Sequence, residues 1–144
     1  MEFENLMKQA YHNLYDLIKC DFIGIACHDN KQKEIGWNYV IGNQNNKCTR
    51  ITVRYGKGIA GQVIQTGRPM LISSFPSKDM NVINFPILLA EKLVTSFAVP
   101  IFKEQTIWGV LLVGYRESHE FSEQEHDQVK ICVTQIEHGL RLLS

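Results

Sequence analysis

The backbone amides at the starts of two short helices are the groups in this sequence best suited to hold a ligand. The run Gly56–Pro69 places three glycines around the start of an apolar helix predicted over Ile59–Ile64. A second predicted helix begins at Phe85, Pro86 and Ile87, where proline suits the first helical position. The first N–H groups of a helix have no intrahelical acceptor and carry a partial positive charge, so each start could bind an anion.

The side chains around these helix starts indicate the kind of anion. They are apolar, and the one nearby cation, Lys57, could equally point to solvent. A phosphate or a dicarboxylate would normally call for a guanidinium or several side-chain donors. A small planar monoanion is therefore expected, and Trp37 could offer it an indole N–H or a flat wall. The plainer alternatives are helix starts capped by solvent or neighbouring side chains, and a tryptophan that only fills the core.

Composition narrows the classes of function. A length of 144 residues predicts a single domain over 1–144. The 15 basic and 15 acidic residues balance, which leaves no large basic field for nucleic acid or an anionic membrane. No apolar run approaches the roughly 20 residues of a membrane span. The acidic start, Met1–Asn5, is unlike a signal peptide, so a cytoplasmic protein is expected.

Catalytic and metal-binding patterns are not found in the sequence. The histidines lack the spacing of metal ligands, and no Ser/His/Asp arrangement can be read. The cysteines form no C-x-x-C pair, which favours reduced thiols in a core. We therefore predict no enzyme, no metal and no cofactor. The cysteines are Cys20, Cys27, Cys48 and Cys132.

Hydrophobic periodicity predicts the elements that must position the helix starts. Helices are expected from Phe3 to Ile18 and from Ser122, where a capping box begins, to Leu143. The expected strands are Asp21–His28, Ile35–Gly42, Arg50–Tyr55, Met70–Ser73, Thr95–Phe102 and Ile107–Tyr115, with a polar turn over 29–34 and a helix over Phe85–Leu93. This order predicts an α+β domain with an antiparallel sheet and the terminal helices packed on one face.

The glycine-rich segment also resembles a family signature. Gly56–Pro69 is similar to the G-x-G-[IVL]-x-G…T-G-x-P motif of GAF domains, and Val99–Ile101 and Gly109–Leu112 match as well. The resemblance covers roughly Leu14 to Leu143. It implies the same α+β fold, with short helices over a ligand pocket, in a module that binds a small ligand and signals to a partner.

Differences from particular GAF subfamilies limit the function further. The cyclic-nucleotide pattern is missing, and Cys27 with His28 lies too early in the chain to be a bilin attachment site. Ala60 stands where free methionine sulfoxide reductases carry a cysteine. Two alternatives stay open: a reductase-like enzyme with Cys48 or Cys27 as nucleophile, and a ligand-free GAF dimerisation module.

Several runs resemble the NreA family of nitrate receptors, which are stand-alone GAF proteins. These runs are Gly36–Asn43, Arg50–Ile51, Gly56–Gly61 and Phe85–Leu93. The resemblance implies a nitrate site held mostly by main-chain N–H groups. Carried over, its residues are Trp37, Ile59, Ala60, Phe85, Pro86 and Ile87, with Phe85 in place of a tyrosine. It also implies that the protein restrains an oxygen-sensing histidine kinase of a two-component system for nitrate respiration until nitrate binds. The apolar stripes of the terminal helices could be core, a homodimer seam or a kinase contact.

Overall fold

A computed structural model describes residues 2–29, 34–78 and 80–143. The four α-helices are α1 (Glu2–Ile18), α2 (Gly58–Thr66), α3 (Pro86–Ala90) and α4 (Glu123–Arg141). The six strands are β1 (Phe22–Asp29), β2 (Glu34–Ile41), β3 (Thr52–Arg54), β4 (Met70–Ile72), β5 (Thr95–Lys103) and β6 (Thr106–Tyr115). Two 3₁₀ helices, η1 (Lys47–Arg50) and η2 (Val82–Asn84), lie before β3 and α3.

The strands form one antiparallel sheet with the order β3-β2-β1-β6-β5-β4. The apolar run of β6 is central, as predicted. Strand side chains alternate between the two faces, so the sheet separates two apolar clusters. One cluster lies under α1 and α4, and the other lies under α2 and α3. The prediction of an α+β fold with both terminal helices on one face is confirmed.

Local capping signals set most helix ends. The Ser122 hydroxyl accepts from the Glu125 amide at 3.1 Å, and the Glu125 carboxylate accepts from the Ser122 amide at 2.9 Å. Gly67 ends α2 in the left-handed region with φ of 67°, where glycine is favoured. On the α1–α4 face, the Tyr115 hydroxyl donates to the Ile18 carbonyl at 2.8 Å and so ties β6 to the end of α1. None of the helices among the described residues is both long and apolar enough to span a membrane.

Some predicted boundaries were wrong. The strand predicted from Arg50 begins at Thr52, because Arg50 belongs to η1. The helix predicted to reach Leu93 ends at Ala90. Trp108, within the apolar run of β6, is only partly buried and packs edge-on against Phe3 with ring centroids 5.8 Å apart. The hairpin turn predicted between β1 and β2 lies mostly in residues 30–33, outside the described residues.

Candidate functional site

Glycines shape the turn that leads into α2. Gly56 and Gly58 have φ of +81° and +64°, so regular helical backbone begins with Ile59. The Gly56 amide donates to the Gly61 carbonyl at 2.9 Å and closes the turn. A Cβ on Gly61 would lie 2.4 Å from the Arg54 carbonyl oxygen, so this position requires glycine. No side chain caps the helix start, which leaves the amides of its first turn without an internal acceptor.

A surface cavity of about 340 Å³ lies between the starts of α2 and α3. Its walls are Val53, Gly56, Lys57, Gly58, Gln62, Ile83, Asn84, Phe85 and Pro86. The two helix starts therefore border one space. Because α3 has only five residues, it contributes little macrodipole and serves chiefly as an apolar wall. The partial positive charge at this cavity comes from α2.

Five of the six predicted residues lie in the apolar cluster under α2 and α3. Trp37, Ile59, Ala60, Phe85 and Ile87 all belong to that cluster. Ile59 and Ala60 are each 1% exposed and Trp37 is 2% exposed, whereas Pro86 is partly exposed in the cavity wall. Among the described residues, the Trp37 indole N–H has no hydrogen-bond partner. The structure thus brings the predicted residues to one place, and their binding of nitrate stays a prediction.

Comparison with known proteins places this fold. The sequence model described as GAF domain matches residues 1–141.

The chain belongs to the GAF domain family.

Solved structures similar to this GAF domain include two of NreA from Staphylococcus aureus mutated in the nitrate binding site. One is 35% identical over 83% of this chain and 88% of that chain, with a TM-score of 0.68. The other is 34% identical over 87% and 95%, also with a TM-score of 0.68. Free methionine-R-sulfoxide reductase from Neisseria meningitidis, with its substrate bound, is 18% identical over 96% and 77%, with a TM-score of 0.74. That last likeness concerns the fold alone. No curated protein sequence gives a significant match.

The charge distribution of this GAF domain is uneven, although its formal net charge is zero. Residues 35–78, which carry β3, α2 and the turn between them, contain no aspartate or glutamate. They contain six exposed cations, none of which forms an ion pair with a described residue. These cations are Lys47, Arg50, Arg54, Lys57, Arg68 and Lys78. Sequence reasoning missed this feature because it weighed the total charge, whereas a count along the chain would have found it.

A buried ion pair fixes the far end of α3 in this GAF domain. Glu91 is fully buried, and its Oε1 accepts from Arg116 Nη2 at 2.8 Å and from the Gln44 amide at 3.0 Å. The Arg116 guanidinium also donates to the carbonyls of Glu91, Asp21 and Gly42 at 2.9, 3.3 and 2.9 Å. Glu91 Oε2 has no partner among the described residues. The network joins α3, the loop after β2 and the ends of two central strands.

The thiols lie where nucleophilic chemistry is unfavourable. Cys27 packs on the α1–α4 side of the sheet, whereas Cys48 is buried in the cluster under α2 and α3. Burial raises the pKa of each thiol to about 11, and the Glu91 carboxylate adds to the effect at Cys48. Both are therefore protonated at neutral pH, and the sheet separates them. The described residues also hold no group of three His, Cys, Asp or Glu side chains arranged to bind a metal ion.

Proposed function

We propose that this GAF domain is a cytoplasmic nitrate sensor that modulates a sensor histidine kinase. One observation carries the proposal: a buried, uncapped helix start shares an apolar cluster with an indole N–H that has no partner among the described residues. A bound anion would supply the acceptor that these N–H groups lack, and a hydrogen bond to a charged group contributes about 1.5–3 kcal/mol. The 35% identity to NreA structures mutated in a nitrate binding site supports nitrate as the anion.

The chemistry of the cluster favours a monoanion of low hydration. The amides of Ile59 and Ala60 and the indole N–H of Trp37 would donate to the nitrate oxygens. Phe85, Pro86 and Ile87 would enclose the ion with apolar surface. A helix start supplies only about half a positive charge, which offsets one negative charge far better than two. Nitrate should therefore bind where sulfate, which also loses more hydration, does not.

Titration calorimetry with nitrate, nitrite, chloride and sulfate tests this proposal. Nitrate should bind at one site per chain, and it should raise the melting temperature because it binds the folded state alone. Sulfate should give no heat of binding in the same buffer. Equal or tighter binding of sulfate would overturn the amide mechanism.

The proposed signalling role follows from linkage. If the kinase contacts the empty protein more tightly, nitrate must weaken that contact by the same factor, because coupling is reciprocal. The protein should therefore reduce autophosphorylation of its cognate kinase, and nitrate should restore it. Exposed Leu17 and Ile131, on α1 and α4, are candidate contacts for the kinase or for a homodimer. Kinase inhibition that ignores nitrate would contradict the sensor role.

The thiols argue against the reductase alternative. Such an enzyme needs a reactive thiolate and a second cysteine to resolve the product. Here Ala60 occupies the position of the reductase cysteine in the glycine-rich segment, and the sheet separates Cys27 from Cys48. We therefore propose a binding protein rather than an enzyme. Turnover of free methionine sulfoxide with a thiol reductant, abolished by Cys48→Ser, would overturn this assignment.

A further inference from the structure

The proposed binding groups are too deeply buried for an anion to reach them directly from solvent. Ile59 and Ala60 are 1% exposed. Above them, the cavity between the two helix starts opens to the surface and extends to Gly58 and Phe85. Phe85 belongs both to the wall of this cavity and to the buried cluster. The cavity is therefore a path from solvent to the start of α2.

Lys57 is the one charged residue among the described residues of the cavity wall. Lys57 is exposed at the mouth, and its side chain makes no ion pair with a described residue. Its own amide donates to the Arg54 carbonyl at 2.8 Å, which fixes the backbone and leaves the ammonium group free to turn. The carboxamides of Gln62 and Asn84 line the same wall and could replace water around an entering ion. No carboxylate of a described residue lines the cavity.

The segment that carries Lys57 is positive. Residues 35–78, which supply Val53, Lys57 and Gln62 to the cavity wall, hold six cations and no acidic residue. The N-terminal part of α4 and the loop before it carry the opposite sign, with five acidic residues over 117–127 and no lysine or arginine. A charge asymmetry of this kind raises the local concentration of the matching ion and increases association rates. The cavity wall thus includes part of the positive segment, and none of residues 117–127 lines it.

We propose that small anions enter through this cavity and that the Lys57 ammonium captures them at its mouth. Lys57 is then a capture residue rather than a ligand of the bound ion. It sets how fast nitrate arrives, while the buried amides and the indole set how long nitrate stays. The inference rests on the proposed nitrate site.

Stopped-flow mixing with nitrate tests the capture role. The Trp108→Phe background leaves Trp37 as the sole tryptophan for fluorescence, and kinetic calorimetry serves if its emission does not change. Lys57→Glu should lower the association rate constant at least about tenfold at low ionic strength, where screening is weakest. The dissociation rate constant should stay within about twofold of the parent. Added salt should slow association in the parent and have much less effect in the variant.

Lys130→Glu is the matched control, since Lys130 is an exposed lysine on α4, on the opposite face of the sheet. It changes the net charge equally and should leave the association rate constant within about twofold of the parent. Equal slowing by both reversals would assign the effect to net charge and overturn the role of Lys57. A faster dissociation with unchanged association would make Lys57 a ligand, which also overturns it. Lys57→Gln, which is milder, replaces the reversal if that variant does not fold.

The experiments distinguish a failure of the proposed nitrate binding from a failure of the capture role of Lys57. If the parent protein gives no heat of binding with nitrate, the proposed function fails and this inference falls with it. If the parent binds nitrate and Lys57→Glu associates as fast as Lys130→Glu, only the capture role fails.

Discussion

Replacing Trp37 with phenylalanine separates a binding role from a packing role. Phenylalanine keeps an aromatic ring against Gly24, where a Cβ would lie 3.0 Å from Trp37 Cε3. It removes the indole N–H, which has no partner among the described residues. A packing tryptophan and a nitrate-binding tryptophan therefore respond differently to this single change.

The change in the free energy of unfolding and the change in the free energy of nitrate binding follow from separate contributions. The smaller ring leaves a gap of a few tens of Å³, which costs about 1 kcal/mol at roughly 24 cal/mol per Å³. The indole N–H makes no hydrogen bond with a described residue, so its removal breaks none in the empty protein, and the free energy of unfolding should fall by about 1 kcal/mol. Losing a hydrogen bond to a charged ligand costs about 1.5–3 kcal/mol. Nitrate affinity should therefore fall roughly ten- to hundredfold.

Calorimetry with nitrate measures the change in affinity, and thermal unfolding without nitrate measures the change in stability. Trp108→Phe is the control, because Trp108 packs against the cluster under α1 and α4 on the other face of the sheet. It should cost some stability and leave nitrate affinity unchanged. The reasoning is refuted if Trp37→Phe binds nitrate as tightly as the parent, or if both tryptophan variants weaken binding equally.

Four further predictions concern other parts of the molecule. Gly61→Ala should lower the melting temperature by several degrees and weaken nitrate binding, because its Cβ would lie 2.4 Å from the Arg54 carbonyl oxygen; an unchanged melting temperature would contradict this. Glu91→Gln should cost about 3 kcal/mol in urea unfolding, since it leaves the Arg116 charge uncompensated, whereas Glu120→Gln on the surface should cost little. Burial raises the pKa of the four thiols from 9.0 to about 11 or 12, so the protonated thiols favour the folded state. This contribution to the free energy of unfolding is complete below pH 9 and is lost as the pH rises toward 12. A constant melting temperature over that range would contradict this prediction. Nitrate should slow amide exchange most over residues 74–93, which include α3, and protection confined to α1 and α4 would count against the site.

Features set by neighbouring residues were predictable from the sequence. The capping box at Ser122 and Glu125 fixed the start of α4, and Gly67 fixed the end of α2. Pro86 marked the first residue of α3. Each signal acts within three or four residues, so a sequence pattern contains all of its partners. The continuous apolar run of β6 likewise reflects burial on both faces of one strand.

Features set by distant partners were not predictable. α3 ends early where Lys92 takes a φ of 56° and Glu91 turns inward to Arg116, which is 25 residues away. Before β3, η1 places Cys48 in the apolar cluster under α2 and α3, against residues far along the chain. These contacts depend on the folded arrangement, and the local sequence pattern does not predict them.

The family resemblance proposed residues for the candidate site, and their role in binding nitrate stays a prediction. The family resemblance pointed to Trp37, Ile59 and Ala60, and the fold brings them together. The resemblance gave no indication of the access cavity, because its walls combine Lys57 with Ile83 and Asn84 from separate parts of the chain.

Two adjacent residues at the end of β6 bind opposite sides of the molecule. Arg116 holds the end of α3 through Glu91, and Tyr115 reaches through the other face to the Ile18 carbonyl and to the Glu125 carboxylate at 3.2 Å. The end of β6 therefore contacts helices on both faces of the sheet. A displacement of α3 by about an ångström would move Arg116 and, with it, shift Tyr115 against the ends of α1 and α4. Binding of an enclosed ion would then change the positions of α1 and α4 through the sheet. A partner protein would respond to these helices without contacting the ion.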